Sequence, residues 1–554
     1  DNIAQGAIKI NLLVDKLLMK KVLFMSNHSE FVACILESCE NKFELLPVLL
    51  PGKGISITDT ANMLAEAYQN SHAETRLYNR GNAVFCVTRD GNGAMLTALS
   101  SQRACSEFEL VATLLKADNK AEPVKTICSP ATARTILSSS TFLNSIPRIN
   151  LVTNSPVILK NEDNTCRFVN SYDAASGILS TGVPAEEVPL DEAIGLLNNL
   201  LSDFNFQGAG DKSRALAALL TPALVSGKVL DARAPIVMLQ ADKSQSGKGF
   251  FTRLLGAVYN ELPSTVAQRT GGVGSIDENF DAALTLGRPL IVIDNLRGKL
   301  NSPQMEAFMT ADVYSARIPY SEPAVIDPGR YFIMATSNNF DLTPDMANRS
   351  CIIRIRKQKR TYNYQTFPEG NILRHIKANQ PRYLGAVFAV VKEWVRLGRQ
   401  TMPFCDHDFR DWCSALDWIV RNILHEVPLM DGHREAQLYT HCPDIDWLQN
   451  TWKCVSGLGC ANQELTAYQV AECCDCADME LPGAQGMPLN ELNESGIRQV
   501  CSQIGRRFNK LFSDLGEGDE IRLSAFSLVR ESKKLRYKSG KSDMATFYSF
   551  LPVA

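Results

Sequence analysis

The chain has 554 residues, 45% of them hydrophobic and 21% charged, which is enough for about three domains with sizeable cores. Lysine and arginine total 57 against 60 acidic residues, a net charge of −3, so any nucleic-acid surface must be local rather than global. No apolar run approaches the roughly 18 residues of a membrane span, so no membrane partner is expected; no secretory signal is visible, and 16 scattered cysteines read as free thiols of a reducing cytoplasm. The chain opens on Asp1 without methionine, consistent with trimming or a missing upstream region.

Residues 1–145 are expected to form a mixed α/β region. Helical periodicity over Asn11 to Val22 and Ser56 to Asn70 alternates with strand-like runs such as Ala83 to Thr88, and Asp90-Gly91 suits a hairpin turn. Residues 146–234 start extended, at Ile149 to Thr153 and Pro156 to Leu159. They then turn helical over Leu190 to Phe204 and, past Gly208-Ala209-Gly210, over Ser213 to Leu224. Strand and helix patterns alternate through 235–365, which predicts a parallel α/β sheet with flanking helices. Residues 366–440 read as helical, almost without interruption over 370–430. The last segment, 441–554, begins Cys-rich and irregular, with Pro482-Gly483 and Gly486-Met487-Pro488 as breakers, and ends in a basic amphipathic helix and two strand-like runs. Zinc is disfavoured for Cys454, Cys460, Cys473, Cys474 and Cys476, because paired CxxC knuckles are missing.

The chemistry concentrates in 235–356. An apolar run from Pro235 to Gln240 ends in Ser244-Gln245-Ser246-Gly247-Lys248-Gly249-Phe250, and apolar residues at helical spacing follow (Leu254, Leu255, Val258). A buried strand, a small Gly-containing loop and a helix N-terminus wrap backbone N–H groups round an anion, and a lysine meets the terminal phosphates. Pro289 to Asp294-Asn295 is a second buried strand, which delivers a carboxylate to the sheet's carboxyl edge for a magnesium ion held through water. A third strand, from Tyr331, ends in Thr336-Ser337-Asn338-Asn339, whose amides can orient a water. Arg349 follows in Asp345-Met-Ala-Asn-Arg349, placed either to reach a neighbouring subunit's nucleotide or to form a salt bridge within its own. Steps of 46, 44 and 11 residues separate Lys248, Asp294, Asn338 and Arg349, an order that fits one nucleotide-binding core.

Together these elements resemble the AAA+ ATPases, in particular the primase–helicases and replicative helicases of phages and mobile genetic elements. Those are related to superfamily three and to the minichromosome-maintenance helicases. Ala335-Thr-Ser-Asn-Asn339 followed by Asp345-Met-Ala-Asn-Arg-Ser350 is the strongest match. The resemblance implies a P-loop ATPase core with a helical lid and a C-terminal winged helix, ATP and Mg²⁺ as cofactors, and a homo-oligomeric ring, most often a hexamer. It also implies single-stranded and duplex DNA as partners. Two departures stand out: Gly249 replaces the magnesium-binding hydroxyl, and Asn295 takes the usual glutamate position, which leaves Glu278 as the candidate general base.

Between the second and third strands, Ser315-Ala-Arg317-Ile-Pro-Tyr320 and Asp327-Pro-Gly-Arg330 resemble a hairpin that such motors push against DNA, with Arg317 and Arg330 as contacts. In the tail, Arg506, Arg507 and Lys510 on the helix and Lys533, Lys534, Arg536 and Lys538 on the ribbon would meet phosphates without reading sequence, unless they form a merely solvated basic face. The expected activity is ATP-dependent DNA unwinding in replication of a phage or mobile element. The rival is an initiator or loader that binds and melts DNA without processive unwinding, and a weaker third reading is a signalling or defence ATPase.

Overall fold

The computed structural model describes residues 45–553 except 53, 73–75, 92, 118–122, 162, 164, 242–245, 268–274, 297–298, 301, 320–321, 339–340, 442–443, 485, 517, 524 and 537–541. The helix expected over Asn11 to Val22 lies outside them. The molecule is a mixed α/β structure built round a central sheet. Its five parallel strands lie in the order Ser350–Arg356, Ile236–Ala241, Phe332–Ser337, Leu290–Asp294, Ser264–Ala267, and the two-residue strand Asn205–Phe206 adds antiparallel outside Ser350–Arg356.

Side chains alternate across this sheet and both faces are buried, as a parallel sheet requires. Val237, Leu239, Phe332 and Met334 enter one core, while Ile236, Met238, Ile333 and Ala335 enter the other. The first core is roofed by helices Leu190–Leu201, Ala209–Ser226, Lys248–Val258, Gln380–Arg396 and Arg410–Asn422. The helices expected as a lead-in and as a lid therefore pack as one layer with the central sheet. The stretch expected to be helical over 370–430 breaks across residues 397–409, where Gly398 and Arg399 take left-handed backbone, at φ 83° and 53°. Cys405 and Cys413 are brought together there, with Cα atoms 6.1 Å apart.

One buried ion pair ties this layer together. Asp211 and Arg214, one turn apart on Ala209–Ser226, are both fully buried and meet at 2.8 Å. The guanidinium also donates to the carbonyls of Ile352, Leu429 and Asp431, and the carboxylate accepts from the N–H of Arg354 and of Gly208. Helix, edge strand and the chain after Arg410–Asn422 thus share one satisfied polar centre. His433, at the same place, accepts from the Ile352 N–H, and burial pushes its pKa well down, so it is held neutral.

The N-terminal portion docks on the second face. Helix Ile57–Gln69 starts at a capping box of Ser56 and Asp59. Strands Ala83–Asp90 and Gly93–Ala98 form the hairpin that turns after Asp90. Arg80 donates to the carbonyls of Leu284 and Thr285 and to the Tyr331 hydroxyl, and Arg288 reaches Asp90 and the Ala94 carbonyl. Behind them Glu261 is entirely enclosed and accepts from the backbone N–H of Asn154 (2.6 Å) and from its side-chain amide (2.9 Å). Desolvation pushes its carboxyl up to about 7.

Residues beyond 444 fold on a core of their own. Helix Ile445–Gly457, strand Glu464–Leu465, helix Ala467–Cys476 and helix Glu494–Leu515 are followed by strands Glu520–Arg522, Phe526–Arg536 and Ser542–Pro552. The sheet is antiparallel, with Ser542–Pro552 between Glu464–Leu465 and Phe526–Arg536. The Cys-rich stretch is helical where apolar residues recur from Leu465 to Cys474, a pattern that suits a helix of this terminal module. Val470, Ala471, Cys473 and Cys474 form the buried face of a helix capped by Thr466 and Gln469, and the Pro and Gly breakers fall between that helix and the next. Among the described residues no group of three or more His, Cys, Asp or Glu is placed to hold a metal ion, and no helix is long and apolar enough to cross a membrane.

Replacing Arg214 with Met strands the Asp211 carboxylate and should cost about 3–5 kcal/mol in urea unfolding. Glu261 gives a pH signature. Its folded pKa lies above the ordinary 4.5, so its contribution is full below pH 4.5, falls as pH rises to about 7, and is constant above. Glu261→Gln should flatten that decline, by up to about 3 kcal/mol, in stability measured across this pH range.

Candidate functional site

A parallel sheet offers its ligand crevice at the carboxyl ends of the strands, where the strand order reverses. Here strand Ile236–Ala241 runs between two strands that come late in the chain, so that crevice opens at its carboxyl end. Residues 242–245 lie outside the described residues, so Ser244 and Gln245 are not placed. Ser246 is buried, and Gly247 opens helix Lys248–Val258 at φ 104°, a conformation that suits glycine. A Cβ at Gly247 would also meet the Phe204 ring at 3.4 Å.

Lys248 reaches across to the next strand, and its Nζ donates to Asn338 Oδ1 at 2.7 Å. Asn338 follows Phe332–Ser337, whose other neighbour ends in Asp294. The residue that joins the two is Thr336. Its hydroxyl donates to Asp294 Oδ1 at 2.6 Å and accepts from the Asn295 N–H at 2.9 Å. Asn295 has φ 54°, a left-handed backbone that asparagine tolerates better than most residues. The peptide after the carboxylate is thereby turned into the sheet, and the exposed Asp294 side chain stands at the crevice rim. Thr336 lies inside the motif that sequence reasoning singled out but received no role there. The available signal was a hydroxyl two residues before the terminal amide of a buried strand.

The residues fit a nucleotide with magnesium on two observations. Thr336 engages Asp294 Oδ1 and leaves a hard oxygen donor at the solvent edge, the kind of ligand magnesium takes through water. Nothing lies within 4 Å of where a Cβ on Gly249 would project, so the space of the missing hydroxyl is open. Thr252 does not fill it, since its hydroxyl turns back to the Gly249 carbonyl at 3.1 Å. Phe250, expected among the phosphate-loop donors, is corrected: its N–H is committed to the Gly247 carbonyl at 3.0 Å, and its ring joins Phe204.

Two of the expected participants are paired with other side chains. Glu278 sits in the first turn of helix Ile276–Thr285, with Arg317 of the hairpin Tyr314–Ala316/Ala324–Ile326 at 3.8 Å. Asp281, one turn on, grips the same hairpin through the Tyr314 hydroxyl and the Arg317 N–H. Arg349 precedes strand Ser350–Arg356 at its amino end, because Ser350 pairs with Ile236 and Ile355 with Ala241. It is therefore roughly 17 Å of strand away from its own phosphate loop. It pairs with Asp345 at 3.0 Å and borders a cavity of about 760 Å³ that also holds Arg233 and Arg410.

Of the expected DNA contacts, Arg317 is exposed at the hairpin. Arg330 is corrected: its guanidinium is turned inward, to Asp327 and the Ser226 carbonyl at the end of Ala209–Ser226. Arg506 and Lys534 are exposed. Arg507 and Lys510 share Asp444, at 3.9 and 3.2 Å, and Lys533 lies between Glu464 and Glu531. Arg536 ends strand Phe526–Arg536, and Lys538 lies outside the described residues. Arg382, on helix Gln380–Arg396, pairs with Glu192.

No family model matches the chain, and no curated protein does. Among solved structures, the apo C-terminal region (305–718) of NrS-1 is 12% identical, with 85% of this chain and 95% of that one covered, at a TM-score of 0.35. A structure described as the SCCmec type IV Cch active helicase is 11% identical over 86% and 93%, at a TM-score of 0.33. Likenesses this distant carry no argument about fold or activity, which rests on the geometry above.

Thr336→Val removes one acceptor and one donor at once and should cost about 1–2 kcal/mol in denaturant unfolding. Thr336→Ser, which keeps the hydroxyl, should recover most of it.

Proposed function

We propose that this chain is a ring-forming AAA+ motor that couples ATP hydrolysis to unwinding DNA in the replication of a phage or mobile element. The observation that carries the reading is the Lys248–Asn338 contact beside the Thr336–Asp294 pair, at the carboxyl edge of adjacent parallel strands. Anions are favoured there because helix Lys248–Val258 points its N-terminus at the crevice. Lys248 would meet the terminal phosphates and Asn338 would orient the lytic water. A magnesium ion, held through water by Asp294, supplies charge neutralisation on those phosphates when bound. The water oxygen attacks the γ-phosphorus as Glu278 takes its proton, and the bond to the β-phosphate breaks with its electron pair leaving on ADP.

Arg349 cannot reach its own crevice from the far end of the sheet, which supports its service to a neighbour's nucleotide and hence a ring, most simply a hexamer. The hairpin bearing Arg317 is the proposed element that meets DNA in the channel. Glu278 and Asp281 on one helix link it to the catalytic edge. The order helix, strand, helix, helix, hairpin after residue 444 supports a winged helix, in which Arg506 and Lys534 face phosphates. The pairs made by Arg507, Lys510 and Lys533 are surface ion pairs of small net worth, so a phosphate can displace them.

The subunit-boundary reading predicts complementation. Lys248→Ala and Arg349→Ala should each abolish turnover, and mixing the two proteins should restore part of it, because the mixture rebuilds intact boundaries. A silent mixture, or full turnover by a strict monomer, overturns the ring. Glu278→Gln should lower kcat about 100-fold. Strand displacement of a forked duplex separates the motor from an initiator, which would distort duplex DNA without releasing a long strand.

A further inference from the structure

A second cleft, away from the nucleotide crevice, lies where the N-terminal hairpin meets the ATPase layer. Its volume is about 530 Å³. Four cations from three separate parts of the chain border it: Arg89 from strand Ala83–Asp90, Arg253 from helix Lys248–Val258, and Arg374 and Lys377 from helix Ile372–Ala378. All four are exposed. Among the described lining residues the single acid is Glu261, which is fully buried and hydrogen-bonded to Asn154 on both oxygens. The described lining is thus net positive. The lining has amides on its floor, from Asn154 and Asn260, and no aromatic ring on which a base could stack.

We infer that this cleft holds the phosphodiester backbone of a nucleic-acid strand, contacting phosphates and leaving the bases unread. Converging Arg and Lys side chains round a polar floor neutralise phosphates, whereas sequence-tolerant gripping of bases would need aromatic platforms. The choice of nucleic acid over another polyanion rests on the DNA-directed function proposed above, but not on its nucleotide site. Arg253 gives the cleft a link to that site. Its Nε donates to the Gly249 carbonyl at 3.0 Å, so one side chain touches both the phosphate loop's helix start and the bound strand's path.

The test is fluorescence anisotropy of a labelled oligothymidylate of about 20 nucleotides with the full chain, without nucleotide, at several salt concentrations. Arg374→Gln combined with Lys377→Gln should weaken binding roughly tenfold at low salt and reduce the log–log salt slope by about 1.4, the value for two phosphates on a single strand. Arg374→Lys combined with Lys377→Arg, which keeps both charges, should retain the slope, and melting curves of both doubles should overlay the parent's. A parent that binds while the Gln double binds with the same affinity and slope overturns the cleft alone. A parent that binds no strand overturns the cleft and the DNA-directed reading together.

Discussion

The insertion of strand Phe332–Ser337 between Ile236–Ala241 and Leu290–Asp294 is the constraint on which the rest depends. Neighbouring strands in a sheet lie about 4.8 Å apart, so residues at the carboxyl end of the middle strand come within reach of groups on both sides, Asn338 of Lys248 and Thr336 of Asp294. Had Leu290–Asp294 paired directly with Ile236–Ala241, Asn338 would have left the sheet elsewhere and Lys248 would have had no amide to meet. Thr336 exploits this placement. One hydroxyl, acting as donor to Asp294 and acceptor from Asn295, fixes both the carboxylate and the left-handed peptide behind it.

That arrangement is stiffened from both faces. The buried Asp211–Arg214 pair bonds the edge strand Ser350–Arg356 to helix Ala209–Ser226 and to the chain after Arg410–Asn422. A buried ion pair is costly to assemble and is tolerated here because the guanidinium and the carboxylate find further partners among backbone groups. Helices from before and after the central-sheet segment are therefore part of its core rather than appendages. On the other face Arg80, Arg288 and Glu261 form a polar seam with the N-terminal strands, hydrogen-bonded across it by the Arg80 terminal nitrogens, the Arg288 guanidinium and both Glu261 oxygens.

The site's surroundings have a mechanical logic. Helix Ile276–Thr285 follows the sheet's edge strand and presents Glu278 and Asp281 to the hairpin, so a carboxylate proposed for catalysis and the anchor of the proposed DNA-contacting element ride on the same rigid rod. At the opposite, amino end of the sheet, Arg349 stands beside Arg233 and Arg410 over a polar cavity. In the ring proposed above, the two ends of one sheet would carry complementary halves of a site, as copies arranged head to tail require.

The sequence by itself determined the strands that start near Pro235, Pro289 and Tyr331, though not the edge strands Ser264–Ala267 and Asn205–Phe206, because uninterrupted apolar runs such as Leu290 to Ile293 have no other stable home than a doubly covered sheet. It also determined that Lys248, Asp294 and Asn338 each sit at a strand's polar end, since the run stops there and turn or amide residues begin. What it left open was every question of who stands beside whom. Thr336 as the link, the inward turn of Arg330 and the break after Arg396 all depend on partners distant in the chain or on cumulative backbone angles. The far-edge position of Arg349 was decided only when Ser350 aligned with Ile236, because strand order and register are long-range pairings that no local pattern encodes.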